Sequence, residues 1–241
     1  MYRVRCKVSV SPVRRIPDHS GEMVTQLLYG EKAVITDTKS GGWVKIKADY
    51  DGYEGWVTSI QLQEIQEETS VASIFPMGGF IREDAIARWL PPGSELEASE
   101  LDRAEGNPKN VFTDAPSGLN QLIPIWMKSP YLWGGRTPSG VDCSGLAQML
   151  YKGLGIALPR DASQQALTGV AVDFLQQAQK GDLAFFDNEE GRIYHVGILL
   201  NDHELIHAYG EVRIDTIDAE GILNRESGQR THHLRIIKRY F

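Results

Sequence analysis

From Tyr2 to Leu62 the chain is a succession of short alternating apolar runs: Val4 to Val10, Val24 to Leu28, Ala33 to Ile35, Trp43 to Ile46 and Gly55 to Ile60. Between them stand Pro17-Asp18, Tyr29-Gly30-Glu31, Ser40-Gly41-Gly42 and Asp51-Gly52. Gly tolerates positive φ, Asp bonds its own backbone and Pro presets φ, so these are turn sequences. A period of two places successive side chains on opposite faces of a strand, and no run here is long enough for a helix with one buried face. The segment is therefore expected to fold as a small antiparallel β-barrel over residues 1–65.

Composition narrows the partners. The 241 residues hold 25 Lys+Arg against 32 Asp+Glu, a formal net charge of -7, and no basic block interrupts that balance. Nucleic acid and anionic lipid surfaces are excluded as expected partners, because binding them requires clustered cations. No stretch of about 18 uncharged apolar residues occurs, so no membrane span is expected. Arg3, Arg5, Lys7, Arg14 and Arg15 interrupt any apolar core of a secretory signal. The two cysteines, Cys6 and Cys143, are too few for a disulfide framework and read as reduced thiols. The expected location is the cytoplasm.

Residues 66–115 read either as a connector or as a degenerate second barrel segment. Gln63 to Thr69 has the charge of a linker, Arg82 to Leu90 the spacing of a short helix stopped by Pro91-Pro92-Gly93, and Glu95 to Glu105 the acidity of a solvated stretch. Leu119, Leu122, Ile123, Trp126 and Met127 then recur at helical spacing and open a second domain, 116–241. A Gly-rich loop, a second helix and strands at Asp182 to Phe186, His195 to Leu200, Glu204 to Tyr209 and Leu234 to Lys238 follow, an α+β layout.

The chemistry concentrates where the loop becomes a helix. Gly and Pro dominate up to Gly140, and helical spacing starts at Cys143 with Leu146, Ala147 and Leu150. A thiol at a helix N-terminus faces unpaired N–H groups and the positive end of the macrodipole, which lower its pKa from about 8.5 toward neutrality. Asp142 stands at the N-cap, ready to accept a first-turn N–H. The alternative for Cys143 is a small buried hydrophobe. A base is supplied by Tyr194 to Leu200 and Glu204 to Tyr209, two strand-like runs around Asn201-Asp202-His203. A turn centred at Asn201 places His195 and His207 directly opposite on one face, where Cβ atoms are about 4.5–5.5 Å apart. One imidazole then takes the thiol proton and the other orients it. His203, in the turn, is expected to be exposed.

Tyr131-Leu132-Trp133-Gly134-Gly135, Asp142-Cys143-Ser144-Gly145-Leu146, Leu158-Pro159-Arg160-Asp161-Ala162-Ser163, Gly181-Asp182-Leu183-Ala184-Phe185-Phe186, His195-Val196-Gly197-Ile198 and Ile206-His207-Ala208 together resemble the successive signatures of NlpC/P60 cysteine peptidases. The first sixty residues resemble a bacterial SH3 (SH3b) domain. The resemblance implies an α+β chain, an SH3-like β-barrel followed by a papain-like peptidase domain, with no cofactor and no metal. It implies Cys143 as nucleophile, His195 as general base, His207 as the polar third member and Tyr131 beside the thiol, positioning the substrate or stabilising the oxyanion with the Cys143 N–H.

The pairing of domains resembles γ-D-glutamyl-L-diamino acid endopeptidases of the cytosolic recycling type. That implies a small muropeptide partner, L-Ala-γ-D-Glu-diamino acid, whose free ammonium needs carboxylates and hydroxyls around it. Asp161 matches the family position for that contact, with Asp142, Glu31 and Tyr53 as further candidates. The alternative for Glu31 is a turn residue and for Tyr53 a barrel aromatic. Ser144, Ser163 and Gln164 either line the cleft or cap helices, and Arg160 is expected to anchor the loop by an ion pair.

Two rivals stand beside this reading. His203-Glu204-Leu205-Ile206-His207 spells H-E-x-x-H, with Glu226 downstream, but zinc chemistry of that type needs the histidines on one helix face. The second rival is a non-catalytic protein that binds peptidoglycan through its barrel.

Overall fold

The structure is a computed structural model that describes residues 2–65, 70–106 and 111–241. The 66–69 portion of the expected linker lies outside the described residues. The chain divides into two compact units, Met1–Phe112 with Trp133–Thr137, and Thr113–Leu132 with Pro138–Phe241.

The first unit is built on β1 (Arg3–Cys6), β2 (Val10–Arg14), β3 (Met23–Leu28), β4 (Lys32–Lys39), β5 (Trp43–Ala48), β6 (Glu54–Thr58) and β7 (Leu62–Glu64). They pair antiparallel in the order β3-β2-β6-β5-β4-β1-β7. The run read as one strand from Val4 to Val10 is two, β1 and the start of β2. Inward residues meet as alternation requires, Val4, Cys6, Val13, Leu27, Ala33, Ile46 and Val57 forming one core. Gly30, at φ 82°, sits so close to the backbone that a Cβ there would lie 1.8 Å from Glu95 O, so no other residue fits this turn.

Beyond the barrel, β8 (Ser73–Phe75), β9 (Gly79–Glu83), β10 (Ile86–Leu90), β11 (Ser94–Leu96) and β12 (Ala104–Gly106) complete the unit with β13 (Arg136–Thr137). The helix expected over 82–90 is absent. Those residues form the β9–β10 hairpin, with Arg82 opposite Ala87 and Ile81 opposite Arg88. Period two wins because Ile81 and Leu90 bury into a cluster with Tyr29, Phe75 and Leu96. The acidic stretch 95–105 is not simply solvated either. Glu100 is buried, taking bonds from Arg5 Nη2 at 2.9 Å and Tyr29 OH at 2.6 Å, because a carboxylate out of water needs such donors.

The second unit contains α1 (Ala115–Trp126), β14 (Gly140–Val141), α2 (Cys143–Gly153) and the short α3 (Ala162–Gln165). Its strands are β15 (Val170–Val172), β16 (Leu183–Asp187), β17 (Ile193–Leu199), β18 (Glu204–Tyr209), β19 (Glu211–Asp218), β20 (Gly221–Leu223) and β21 (Arg230–Arg239). They run β15-β21-β16-β17-β18-β19-β20, and a β21–β20 pairing closes six of them into a barrel. Ala184, Phe186, Leu199, Leu205, Ile217, Ile222 and Ile237 fill its interior. Strand alternation carries the same inward faces on to His195, His207, Asp215 and His232, all buried. One barrel interior thus has an apolar end and a polar end.

Candidate active site

Helix α2 begins where the sequence places it. Asp142 is its N-cap, in extended conformation, and Oδ1 accepts the Gly145 N–H at 2.7 Å. The rest of that carboxylate is taken by Arg160, which reaches Oδ1 at 3.0 Å and Oδ2 at 2.6 Å and also donates to Ser144 Oγ at 2.9 Å. Asp142 and Ser144 are therefore buried structural partners of Arg160. Gln165 finishes the arrangement, its Nε2 donating to Ser144 O and Pro159 O. Arg160 has the expected role of loop anchor.

Cys143 is the first residue of α2 and is 7 % exposed. The sequence expectation of a thiol near neutrality is corrected here. Burial pushes it up to about 12, the Asp142 charge adds to that, and backbone hydrogen bonds with Val196 and Ser144 offset only part. The resting group is a thiol, and its proton must leave as it reacts. Tyr131 is held between Val141, just before this helix, and Gly210, whose carbonyl accepts the Tyr131 N–H at 2.9 Å. Burial above all raises its phenol to about 12, so the hydroxyl keeps its proton and can donate.

The histidines converge by a register different from the one expected. Ile198 pairs with Ile206 and Leu199 with Leu205, so the turn centres on Asp202 and His207 stands opposite Gly197. The offset from the expected pairing is two residues, which keeps both histidines on one face. The missing side chain at Gly197 leaves room for His207 to reach diagonally, and His195 Nε2 lies 2.9 Å from His207 Nδ1. His207 Nε2 lies 3.0 Å from Asp215 Oδ2. Asp215 is gripped in turn by Arg213 Nε at 2.9 Å, Arg213 Nη2 at 3.1 Å and the Arg225 N–H at 3.0 Å. Burial raises the Asp215 pKa, but the bonds from His207, Arg225 and Arg213 outweigh it and hold the group ionised.

That chain assigns the tautomers chemically. An ionised carboxylate only accepts, so His207 carries its proton on Nε2 and presents a lone pair at Nδ1. His195 must then donate from Nε2, which leaves Nδ1 as its basic nitrogen. Burial, then the neighbouring His232 and His207, hold His195 well below the usual imidazole range, so it is neutral and able to accept. Asp215 and His232 were not found from sequence. Asp215 lies on β19 among Thr, Asp and Arg residues with no motif around it, and only the pairing of Leu205 with Asp215 turns it inward.

The other nominated residues have partners of their own. Glu31 is 1 % exposed, and its oxygens accept from Arg136 at 2.8 and 2.9 Å and from the Leu28 N–H at 2.8 Å. Its carboxylate is an internal ion-pair partner in the first unit rather than an ammonium ligand. Tyr53 packs against the barrel core. Asp161 is half-buried at the N-cap of α3, where its carbonyl accepts from Gln164 and Gln165, and Ser163 and Gln164 are exposed on that helix. The H-E-x-x-H segment lies on a loop and on β18, not a helix. His203 is exposed against Asp202, and Glu226 pairs with Arg213 at the surface. Four residues apart along a strand is about 13 Å, too far for His203 and His207 to share an ion.

Residues 128–231 match the NlpC/P60 family, and residues 13–62 match the bacterial dipeptidyl-peptidase SH3 domain. The γ-D-glutamyl-L-lysine dipeptidyl-peptidase of Bacillus cereus is 28% identical over 89% of this chain and 76% of its own length. Dipeptidyl-peptidase 6 of Lysinibacillus sphaericus is 24% identical over 87% of this chain and 90% of its own. The crystal structure of an NlpC/P60 family protein from Bacillus cereus superposes with a TM-score of 0.81 at 22% identity, covering 99% of both chains, and so shares the fold. The chain thus carries an NlpC/P60 cysteine-peptidase domain over residues 128–231, with a bacterial SH3 domain ahead of it over residues 13–62.

Proposed function

We propose that the protein hydrolyses the bond between γ-D-glutamate and the diamino acid in small murein peptides with a free N-terminal L-Ala, in the cytoplasm, as a step of cell-wall peptide recycling. The observation that carries the reading is the continuous Asp215–His207–His195 chain, which leaves Nδ1 as the basic nitrogen of His195, the residue preceding Val196, whose backbone hydrogen-bonds Cys143. The named activities of the relatives and the preceding SH3 domain support the substrate class. No helix among the described residues is long and apolar enough to cross a membrane.

In this mechanism the Cys143 thiol gives its proton to His195 Nδ1 while sulfur attacks the γ-carbonyl. The oxyanion takes hydrogen bonds from the Tyr131 hydroxyl and the Cys143 N–H. His195 returns the proton to the leaving amine, and water, deprotonated by the same nitrogen, releases the acyl group from sulfur. Asp161 pairs with the substrate ammonium.

The test is hydrolysis of L-Ala-γ-D-Glu-L-Lys and its diaminopimelate counterpart, free and N-acetylated, beside intact sacculi. Release of the diamino acid from the free tripeptides alone is expected, and Cys143→Ala is expected to abolish it. Equal turnover of acetylated peptide, or preference for polymeric wall, overturns the substrate assignment.

A further inference from the structure

The reaction just described uses two imidazoles, and the barrel supplies a third. His232, on β21 opposite Ile222, stacks on His195 with 4.0 Å between ring centroids and 25° between planes, and meets His207 edge-on at 5.9 Å. One ring nitrogen of each lies within 4.8 Å of one from each of the others, and all three residues are buried. A tetrahedral ion with Zn–N bonds of about 2.0–2.1 Å holds its ligand nitrogens roughly 3.3 Å apart, so the three nitrogens must draw together and the stacked His232 ring must turn out of its 25° alignment with His195 to aim its in-plane lone pair at a shared ion. His195 Nε2 and His207 Nδ1 already face each other at 2.9 Å.

The surroundings have the form of a built site. Imidazoles that bind metals are held by a second hydrogen bond, most often to a carboxylate. His207 has one to Asp215 at 3.0 Å, and His232 Nδ1 has one to Thr231 Oγ1 at 2.8 Å. The Arg213 charge is spent on Asp215 and Glu226.

We propose that His195, His207 and His232 form a binding site for zinc or a similar borderline-soft divalent cation, and that its occupancy switches the peptidase off. The regulatory half of this rests on the peptidase reading; the binding half does not. Ligation through His195 Nε2 requires the lone pair there, so the ring proton moves to Nδ1. Nδ1 is the nitrogen that must accept the thiol proton, and the base is lost without any bond between the ion and sulfur.

The experiment separates the two halves. Cys143→Ala protein, freed of metal, is titrated with Zn2+ by calorimetry and with Co2+ by visible absorption. One ion per chain and the d–d bands of tetrahedral Co2+ are expected. Adding His232→Gln, or His232→Phe, which keeps the stacked ring, should abolish both signals, and Asp215→Asn should weaken binding about 10–100-fold. The intact enzyme should lose activity over the same Zn2+ range and recover with EDTA, while His232→Phe resists. Absence of binding in Cys143→Ala, or undiminished binding or inhibition in both His232 variants, overturns the site. A metal-free enzyme that cleaves no murein peptide while still binding the ion overturns the peptidase reading instead.

Discussion

His207 stands across the strand pair from Gly197, with its Cβ beside the space that a side chain at Gly197 would take. A Cβ at that position would lie 2.5 Å from Leu205 Cδ1 and 3.3 Å from His207 Cβ. Gly197→Ala is therefore expected to displace the Leu205 side chain and shift His207 against His195 by a few tenths of an ångström, lowering kcat by less than the roughly 10²-fold of a 1 Å misplacement. The measurement is kcat with circular dichroism as a folding control. Full activity in a folded variant would show that the approach is not critical.

Asp215→Asn keeps the shape of the chain but removes its direction. The amide can donate to His207 Nε2, which lets the proton shift to Nδ1 and leaves His195 donating from the wrong nitrogen. A fall in kcat of roughly 10²–10⁴-fold with little change in KM is expected. A loss confined to KM would make Asp215 a structural residue only.

Stability should depend on pH through the buried imidazoles. Burial, then His207, lowers His232 from 6.5 to about 4, and burial also holds His195 well below the usual imidazole range. Between those values the unfolded chain binds protons that the folded chain refuses, so this contribution is complete above about pH 6.5 and is lost as pH falls toward 4. His232 alone accounts for about 3 kcal/mol of that difference. Urea midpoints of wild type and His232→Phe, taken from pH 7 to 4 in EDTA, check it. Parallel curves would refute the contribution of His232.

Glu31→Gln tests the reassignment of the barrel carboxylate. It leaves the Arg136 guanidinium, 2 % exposed, without its counter-charge. Such a loss costs about 3–5 kcal/mol. A large drop in the denaturation midpoint is expected, and a variant of normal stability with a raised KM would return Glu31 to the substrate site.

Local patterns made the α2 boundary, Cys143, the His195–His207 face and the Arg160 anchor readable, because each depends on neighbours close in sequence. What escaped depends on distant pairing. The β9–β10 hairpin looked helical until Phe75 and Tyr29 were in place to bury Ile81 and Leu90. Asp215 and His232 carry no motif, and they face inward only because β19 and β21 join the same closed sheet. The Cys143 thiol lies above what its helix terminus implies for a related reason. The helix terminus was visible in sequence, whereas the burial that opposes it was not.

The polar end of the second barrel lies on the same strands as its apolar end, with His207 two residues from Leu205 and Asp215 two from Ile217. A one-residue slip of any of these strands would expel the packing groups and the reacting groups together. Turnover is thus an internal gauge of correct strand alignment. Transplanting this chemistry to another scaffold would mean copying an alignment of strands, since the four side chains alone would not bring the proton path with them.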